Sequence, residues 1–381
     1  MGYSAIDGAD LIEVDEDAEG YADFRKLGSL REQSSIFTSQ GTFQSLGLVD
    51  LQINGFAGVD MNSGNLDSGD IEKAMNAILA TGVTTCLPTI ISATPDKLLA
   101  RFESLDRALS SSLLGNKMAP GYHLEGPFLS PVEGYAGMHP QEAMMPADYN
   151  LVETLESKLD RPILLITVAA EQKGAPEFIK EASLNGKIVA IGHSQATEDA
   201  LDAAIDAGAV MSTHLGNGLP QLLPRLDNAL WRQLGDDRLM ASFIPDGFHI
   251  PEKTLRCLIR AKQLERTILV TDAATPAGAP AGVYEFAGIP IEAKPNGLVC
   301  RPGEPGLAGS SLKLDDGIRN LVNWGIATPT EAIRMACANP NQLLFKAMDA
   351  HGIKPMATCV EWSANLYPTS AKVGDYRISL Q

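Results

Sequence analysis

The stretch that decides the fold is KIVAIGHSQATEDALDAAIDAGAVMSTH, residues 187–214. Lys187–Gly192 is a short apolar run that reads as a strand buried on both faces. Thr197 then offers a side-chain oxygen to open a helix, and Glu198 and Asp199 put negative charge into its first turn. The helix is expected to run to Ala207, and Ala209–Thr213 is a second apolar strand. Strands buried on both faces and joined through a helix imply parallel βα repetition. A histidine closes each strand, His193 the first and His214 the second.

The same unit recurs in both directions. Strands are predicted over Gly47–Ile53, Val83–Pro88, Ala119–Leu124, Pro162–Val168, Leu239–Pro245 and Thr267–Thr271, and helices over Ile71–Thr81, Pro95–Ser111, Ala175–Leu184 and Pro251–Gln263. Thr94 ahead of Pro95 is a further start signal. Eight units in about 230 residues suit an α/β fold of the closed (β/α)8 type, with an open doubly wound sheet as the alternative the pattern allows. A Pro295-Asn296-Gly297 turn within Val283–Cys300 predicts a hairpin insertion, and helices over Ser310–Asn323 and Pro329–Ala338 are expected to close the barrel. Residues 1–44 and 347–381 lack the barrel period. They are expected to form a small β-rich appendage built from both termini, around a barrel of residues 45–346.

Composition sets outer limits. Thirty Lys and Arg against forty-seven Asp and Glu leave a net charge of −17. A field of that sign repels nucleic-acid phosphates and anionic lipid, so neither is an expected partner. A small anionic substrate would need local cations or a metal. The five cysteines, Cys86, Cys257, Cys300, Cys337 and Cys359, are widely spaced and form no C-x-x-C pair. That argues against a disulfide framework and for a reducing cytoplasm. No apolar run reaches the roughly 18 residues of a membrane helix, and acidic Met1–Glu19 does not read as a signal peptide.

Five of the six histidines stand at or after predicted strand ends: His123, His139, His193, His214 and His249. The C-terminal strand ends of a parallel barrel make its active-site face. Glu125 and Asp272 end strands there as well. Glu125, His193 and His214 form a two-histidine, one-carboxylate set suited to Zn2+ with a position open for water, whose pKa would fall towards about 7. Asp272 is the candidate base. The competing readings are structural, a carboxylate neutralising a cation at Glu125 and a strand-end cap at Asp272. Glycine-bearing loops (Asn54-Gly55, Gly126-Pro127, Asn217-Gly218, Asp246-Gly247) would let backbone groups approach a polar ligand. Gly306–Ser310, expected just before a helix, suits an anion or hydroxyl.

Taken in order, Asp50–Gly55, His123–Ser130, Gly192–Ser194, Thr213–Asn217, Asp246–His249, Val270–Gly278 and Leu307–Leu312 resemble the motifs of the N-acetylglucosamine-6-phosphate deacetylase family. That family belongs to the amidohydrolase superfamily of metal-dependent (β/α)8 barrels. The resemblance spans roughly residues 45–345. It implies metal-dependent hydrolysis of the acetamide of N-acetylglucosamine 6-phosphate, or of a close N-acetyl hexosamine phosphate. Glu125, His193 and His214 would bind the metal, and Asp272 would be the acid/base. His139, Asn217, Gly218, Arg225, His249, Leu307, Ala308 and Gly309 match positions that contact the amino sugar phosphate. The arginine matching Arg225 reaches the neighbouring subunit in the family, which implies a homodimer. Gln52 and Asn54 stand where many amidohydrolases carry His-x-His. Amides are poor transition-metal ligands, so one divalent metal, zinc, is expected.

The chain also departs from the family. Its first 44 residues lack the usual short strands, and the His214–Leu219 motif and Leu226–Arg232 are unusual. Another small amide or a cyclic amide is the alternative substrate. A sugar-phosphate sensor without turnover is the reading from another class, and it leaves the complete Glu-His-His-Asp set without a purpose.

Overall fold

A computed structural model describes residues 2–6, 10–29, 42–304 and 306–380. Eight parallel strands form one sheet in sequence order: Leu48–Ile53 (β1), Val83–Ile91 (β2), Tyr122–Glu125 (β3), Ile163–Val168 (β4), Ile188–Ile191 (β5), Met211–Ser212 (β6), Met240–Phe243 (β7) and Thr267–Leu269 (β8). The sheet curls until Ile53 bridges Ala273 beyond β8, where Asn54 N–H donates to the Ala273 carbonyl at 2.8 Å. The barrel is therefore stitched shut at its C-terminal end.

The apolar runs become strands because both their faces are covered. Val49, Leu51, Leu165, Ile188, Met211 and Ile268 fill the lower lumen. Helix Ala338–Ala350 plugs that end by adding Leu344, Ala347 and Met348 to the same cluster. Fully burying such a side chain contributes roughly 1.5–3 kcal/mol. The plug leaves the opposite end as the open one. It also runs through residues 346 and 347, so the barrel's last helix crosses the position where the appendage was expected to begin.

Helices Pro95–Ser111 and Ala175–Leu184 keep their predicted bounds. Thr197 caps the helix Glu198–Ala207 by accepting from Ala200 N–H, whereas Thr94 makes no such bond and the start there rests on Pro95. Besides the plug helix Ala338–Ala350, three shorter α-helices escaped prediction: Leu113–Met118, Tyr149–Glu156 and Ala229–Gly235. Each is short and held by a cap, Ser112, Asp148 or Asn228. The last closing pair begins at Leu314 rather than Ser310, so Gly306–Ser310 does not open a helix.

The insertion has three strands, Gly282–Phe286, Ile289–Ala293 and Val299–Cys300. Its first turn is Ala287-Gly288, and the predicted Pro295-Asn296-Gly297 joins the second and third strands. The termini do build a β-rich sheet, with order 376–379, 368–373, 358–362, 43–45, 2–6, 10–16 and 22–29. The expectation that the first 44 residues lack short strands is thus corrected: Gly2–Ile6, Asp10–Glu16 and Ala22–Ser29 are strands. They pair among themselves and with Phe43–Ser45, so their signal lies in partners rather than in local periodicity. The sheet packs onto the barrel through Phe43, Val360 and Trp362, whose indole N–H donates to Ser45 Oγ at 2.8 Å. Among the described residues no helix is long and apolar enough to cross a membrane.

Candidate active site

A cleft of about 660 Å³ opens at the C-terminal end of the barrel. Glu125, the last residue of β3, lies at its floor, with His193 two residues beyond β5 and His214 two beyond β6. One potential ligand atom from each of these three lies within 4.8 Å of the others, the one such group among the described residues. His214 Nε2 is 2.8 Å from Glu125 Oε1 and His193 Nε2 is 3.4 Å from the same oxygen. His193, His214 and Asp272 all have positive φ, at 49°, 27° and 48°. Non-glycine residues rarely sit there, and such strain clusters where the surroundings over-determine a functional geometry. Gly218 completes the fit: its φ is 61°, and a Cβ would come within 2.6 Å of the His193 ring.

The donor chemistry suits a divalent cation. His193 Nδ1–H donates to the Tyr135 carbonyl at 2.7 Å, which fixes the tautomer and leaves Nε2 with its lone pair toward Glu125. Both His193 Nε2 and His214 Nδ1 are buried without a hydrogen-bond partner. The Nε2 atoms of His193 and His214 both stand beside Glu125 Oε1, and two imidazoles with one carboxylate make a donor set that suits a shared cation. Burial would raise the Glu125 carboxyl, but the His193, His214 and His139 rings around it outweigh burial and hold the group well below the usual carboxylate range. His214 moves upward: burial opposes its charge, and Glu125 outweighs that.

Asp272 lines the same cleft beyond β8. Its Oδ1 accepts from Gln52 Nε2 at 3.1 Å and from Asn54 Nδ2 at 2.7 Å. Burial raises its carboxyl to about 6, with His214 pulling downward and Glu125 pushing upward. That value makes it ionised, yet willing to take a proton, near neutral pH.

His139 is folded back from the loop after β3. Its Nδ1 accepts from the Ser92 backbone N–H at 3.3 Å, so the proton of the neutral ring sits on Nε2, 3.7 Å from Glu125 Oε2. Burial, reinforced by His193, lowers this imidazole to about 3 and keeps it neutral. His249 is held by Asp246, whose Oδ2 accepts a hydrogen bond from His249 Nδ1–H at 2.6 Å. Asn217, Gly218, Leu307 and Gly309 line the cleft.

Two expected placements are corrected, those of His123 and Ala308. His123 does not reach the cleft: its Nε2 bonds Thr167 Oγ1 at 2.8 Å inside the barrel, and burial lowers it to about 4. It shares a face of β3 with Glu125 but sits one layer lower, since residues two apart on a strand stack along one side. Ala308 is fully buried in the insertion's own core, and its N–H is spent on the Val299 carbonyl. Arg225 is exposed and does not line this chain's cleft. Residues the sequence reading missed include Phe286, Arg301 and Glu304, which the insertion brings to the cleft. The Pro302-Gly303 turn was the available signal, because it places Arg301 and Glu304 at a loop tip.

The chain is 32% identical over 298 residues to N-acetylgalactosamine-6-phosphate deacetylase of Escherichia coli O157:H7, covering 78% of this chain and 76% of that one. It is 31% identical over 299 residues to N-acetylglucosamine-6-phosphate deacetylase of Bacillus subtilis, covering 77% and 73%. The crystal structure of N-acetyl-D-glucosamine-6-phosphate deacetylase from Mycobacterium smegmatis superimposes with a TM-score of 0.81, 25% identity and 98% coverage of each chain. No protein-family model matches the chain. On these similarities the chain belongs to the N-acetylglucosamine-6-phosphate deacetylase family of the amidohydrolase superfamily.

Proposed function

We propose that this protein removes acetate from N-acetylglucosamine 6-phosphate or a close N-acetyl hexosamine phosphate, releasing the amino sugar phosphate. The observation that carries the reading is the meeting of the Glu125–His193–His214 donor set with a separate buried carboxylate, Asp272, in one cleft. A divalent metal held by those three residues would polarise the acetyl carbonyl and make water a nucleophile near neutral pH.

The chain's own groups do the rest. Asp272 takes the proton of the attacking water and returns it to the leaving nitrogen, which must be protonated to depart. His139, neutral with its proton on Nε2, offers a hydrogen bond to the carbonyl oxygen as charge develops there. Gln52 and Asn54 turn amide N–H groups, not lone pairs, toward Asp272, which supports one metal per chain, zinc by ligand type. His249, anchored by Asp246, receives the phosphate end. Arg225, exposed and outside its own cleft, fits the role of an arginine lent to a partner subunit, and hence a homodimer. No disulfide joins the five cysteines, in keeping with a cytoplasmic enzyme.

The test is acetate release from the 6-phosphates of N-acetylglucosamine and N-acetylgalactosamine, beside unphosphorylated N-acetylglucosamine. A phosphorylated sugar is the expected preferred substrate. Arg225→Ala should raise KM for it about ten- to a hundredfold and leave the unphosphorylated sugar unchanged, because a charge-assisted bond contributes roughly 1.5–3 kcal/mol. An enzyme indifferent to the phosphate would remove it from the function.

A further inference from the structure

A chain of hydrogen bonds crosses the top of the barrel from β6 to β1 to the end of β8. Thr213 Oγ1 donates to Gln52 Oε1 at 2.9 Å. Gln52 Nε2 and Asn54 Nδ2 both donate to Asp272 Oδ1. A carboxylate has no proton to give, so each carboxamide must face it with nitrogen. For Gln52 that leaves its oxygen toward Thr213, whose hydroxyl is the group that fills it. All four residues are buried or nearly so, with Gln52 at 1% and Asn54 at 3% exposure. A mis-turned carboxamide therefore has no water to rescue it.

We propose that Thr213, Gln52 and Asn54 are positioning residues for Asp272. The two carboxamides pin Oδ1, so that Oδ2 is the oxygen that handles the reaction's proton, and the Thr213 hydroxyl fixes which way round Gln52 sits. Without that hydroxyl the Gln52 carboxamide is free to turn over and put its oxygen against the carboxylate. Asp272 then swings from its place, and a misplacement on the order of 1 Å costs up to about a hundredfold in rate. Thr213 directly precedes His214, so one β6 end sets both a metal-ligand candidate and the anchor of the base. The inference rests on Asp272 being the base.

The experiment compares Thr213→Val, Thr213→Ser, Gln52→Leu and the Gln52→Leu, Thr213→Val double variant with Asp272→Asn, all as metal-loaded enzyme acting on N-acetylglucosamine 6-phosphate. Metal content and melting temperature are measured on each sample. Thr213→Val, isosteric but without the hydroxyl, should lower kcat about ten- to a hundredfold, with KM within about twofold and metal content unchanged. Thr213→Ser should restore most of the rate, and the double variant should be no slower than Gln52→Leu alone, since Thr213 acts through Gln52. If Thr213→Val does not fold, Gln52→Leu with its metal retained reads the same link.

A wild-type kcat in Thr213→Val overturns the proposal, as does a Thr213→Ser variant equally slow, which would mark a packing role. Additive losses in the double variant overturn it too. If Asp272→Asn keeps its rate, the assignment of the base falls and the proposal with it. If Asp272→Asn is inactive while Thr213→Val is not, the proposal alone falls.

Discussion

The two ends of the barrel both bury ionisable groups, and they treat them in opposite ways. At the N-terminal end, Lys187 Nζ meets Glu156 Oε1 at 2.5 Å, and the same oxygen accepts from Ile163 N–H at 2.7 Å. Nearby, Asp106 accepts from the Tyr122 hydroxyl at 2.5 Å, from Arg161 at 3.2 Å and from Asp160 N–H at 2.7 Å. Every charge there has an opposite charge or a backbone partner, as a structural network requires. At the C-terminal end His193 Nε2, His214 Nδ1 and Asn54 Oδ1 are buried without hydrogen-bond partners. Three residues there hold positive φ. The difference teaches how to tell a buried ionisable cluster that stabilises from one prepared for a ligand: the second leaves ligand-type ring nitrogens without hydrogen-bond partners.

The sharpest way to break this contrast is to remove a ligand of the open network. His214→Ala should abolish metal binding and turnover together, a loss of well over about 10⁴-fold, because both nucleophile and carbonyl polarisation depend on the site. The variant should stay folded, since the lower lumen is filled independently by Leu165, Ile188 and Met211. Elemental analysis, rate and circular dichroism check the three parts. A variant that kept its metal would mean that His214 belongs with the structural kind.

A smaller loss, about 10²–10⁴-fold, is expected of Asp272→Asn with the metal retained, because the amide cannot accept a proton. The pH dependence has a definite sign. Burial raises the Asp272 carboxyl to about 6, so its working, ionised form is lost as pH falls through that value. A divalent cation in the neighbouring site would move the midpoint lower. The kcat/KM profile of the wild type should therefore fall on the acid side at or below about pH 6, and the residual rate of Asp272→Asn should lack that limb.

How much was legible follows the same division. The βα pattern was plain because each strand is apolar on both faces, a local property of the sequence. Glu125, His193, His214 and Asp272 were legible because strand ends in a parallel barrel must meet. The terminal strands were not, because Gly2–Ile6 gains its partners from Asp10–Glu16 and from Phe43–Ser45 rather than from its own period. The depth of a strand residue was hidden for a similar reason: sequence gives the face of His123 but not its layer. Thr213 and Gln52 read as an ordinary strand end and a missing metal ligand. Only their meeting across the lumen gives either one a task.

The smallest effect on activity is expected at the other end of the barrel, and it separates the two kinds of network most directly. Lys187 is 1% exposed at its side chain, and burial lowers its pKa while Glu156 supports its charge. Lys187→Met keeps the aliphatic stem packed and removes the ammonium. Glu156 is 22% exposed and keeps the Ile163 N–H, so it is not stranded entirely. The expected cost is therefore about 1–3 kcal/mol of stability, below the 3–5 typical of a fully buried broken pair. Metal content, kcat and KM should all stay at wild-type values, because Lys187 precedes β5 while His193 follows it, at opposite ends of the same strand. Urea denaturation beside steady-state kinetics measures both halves. Lost turnover with unchanged stability would show that the closed network reaches the chemistry after all, and that filled hydrogen-bonding capacity is no guide to a structural role.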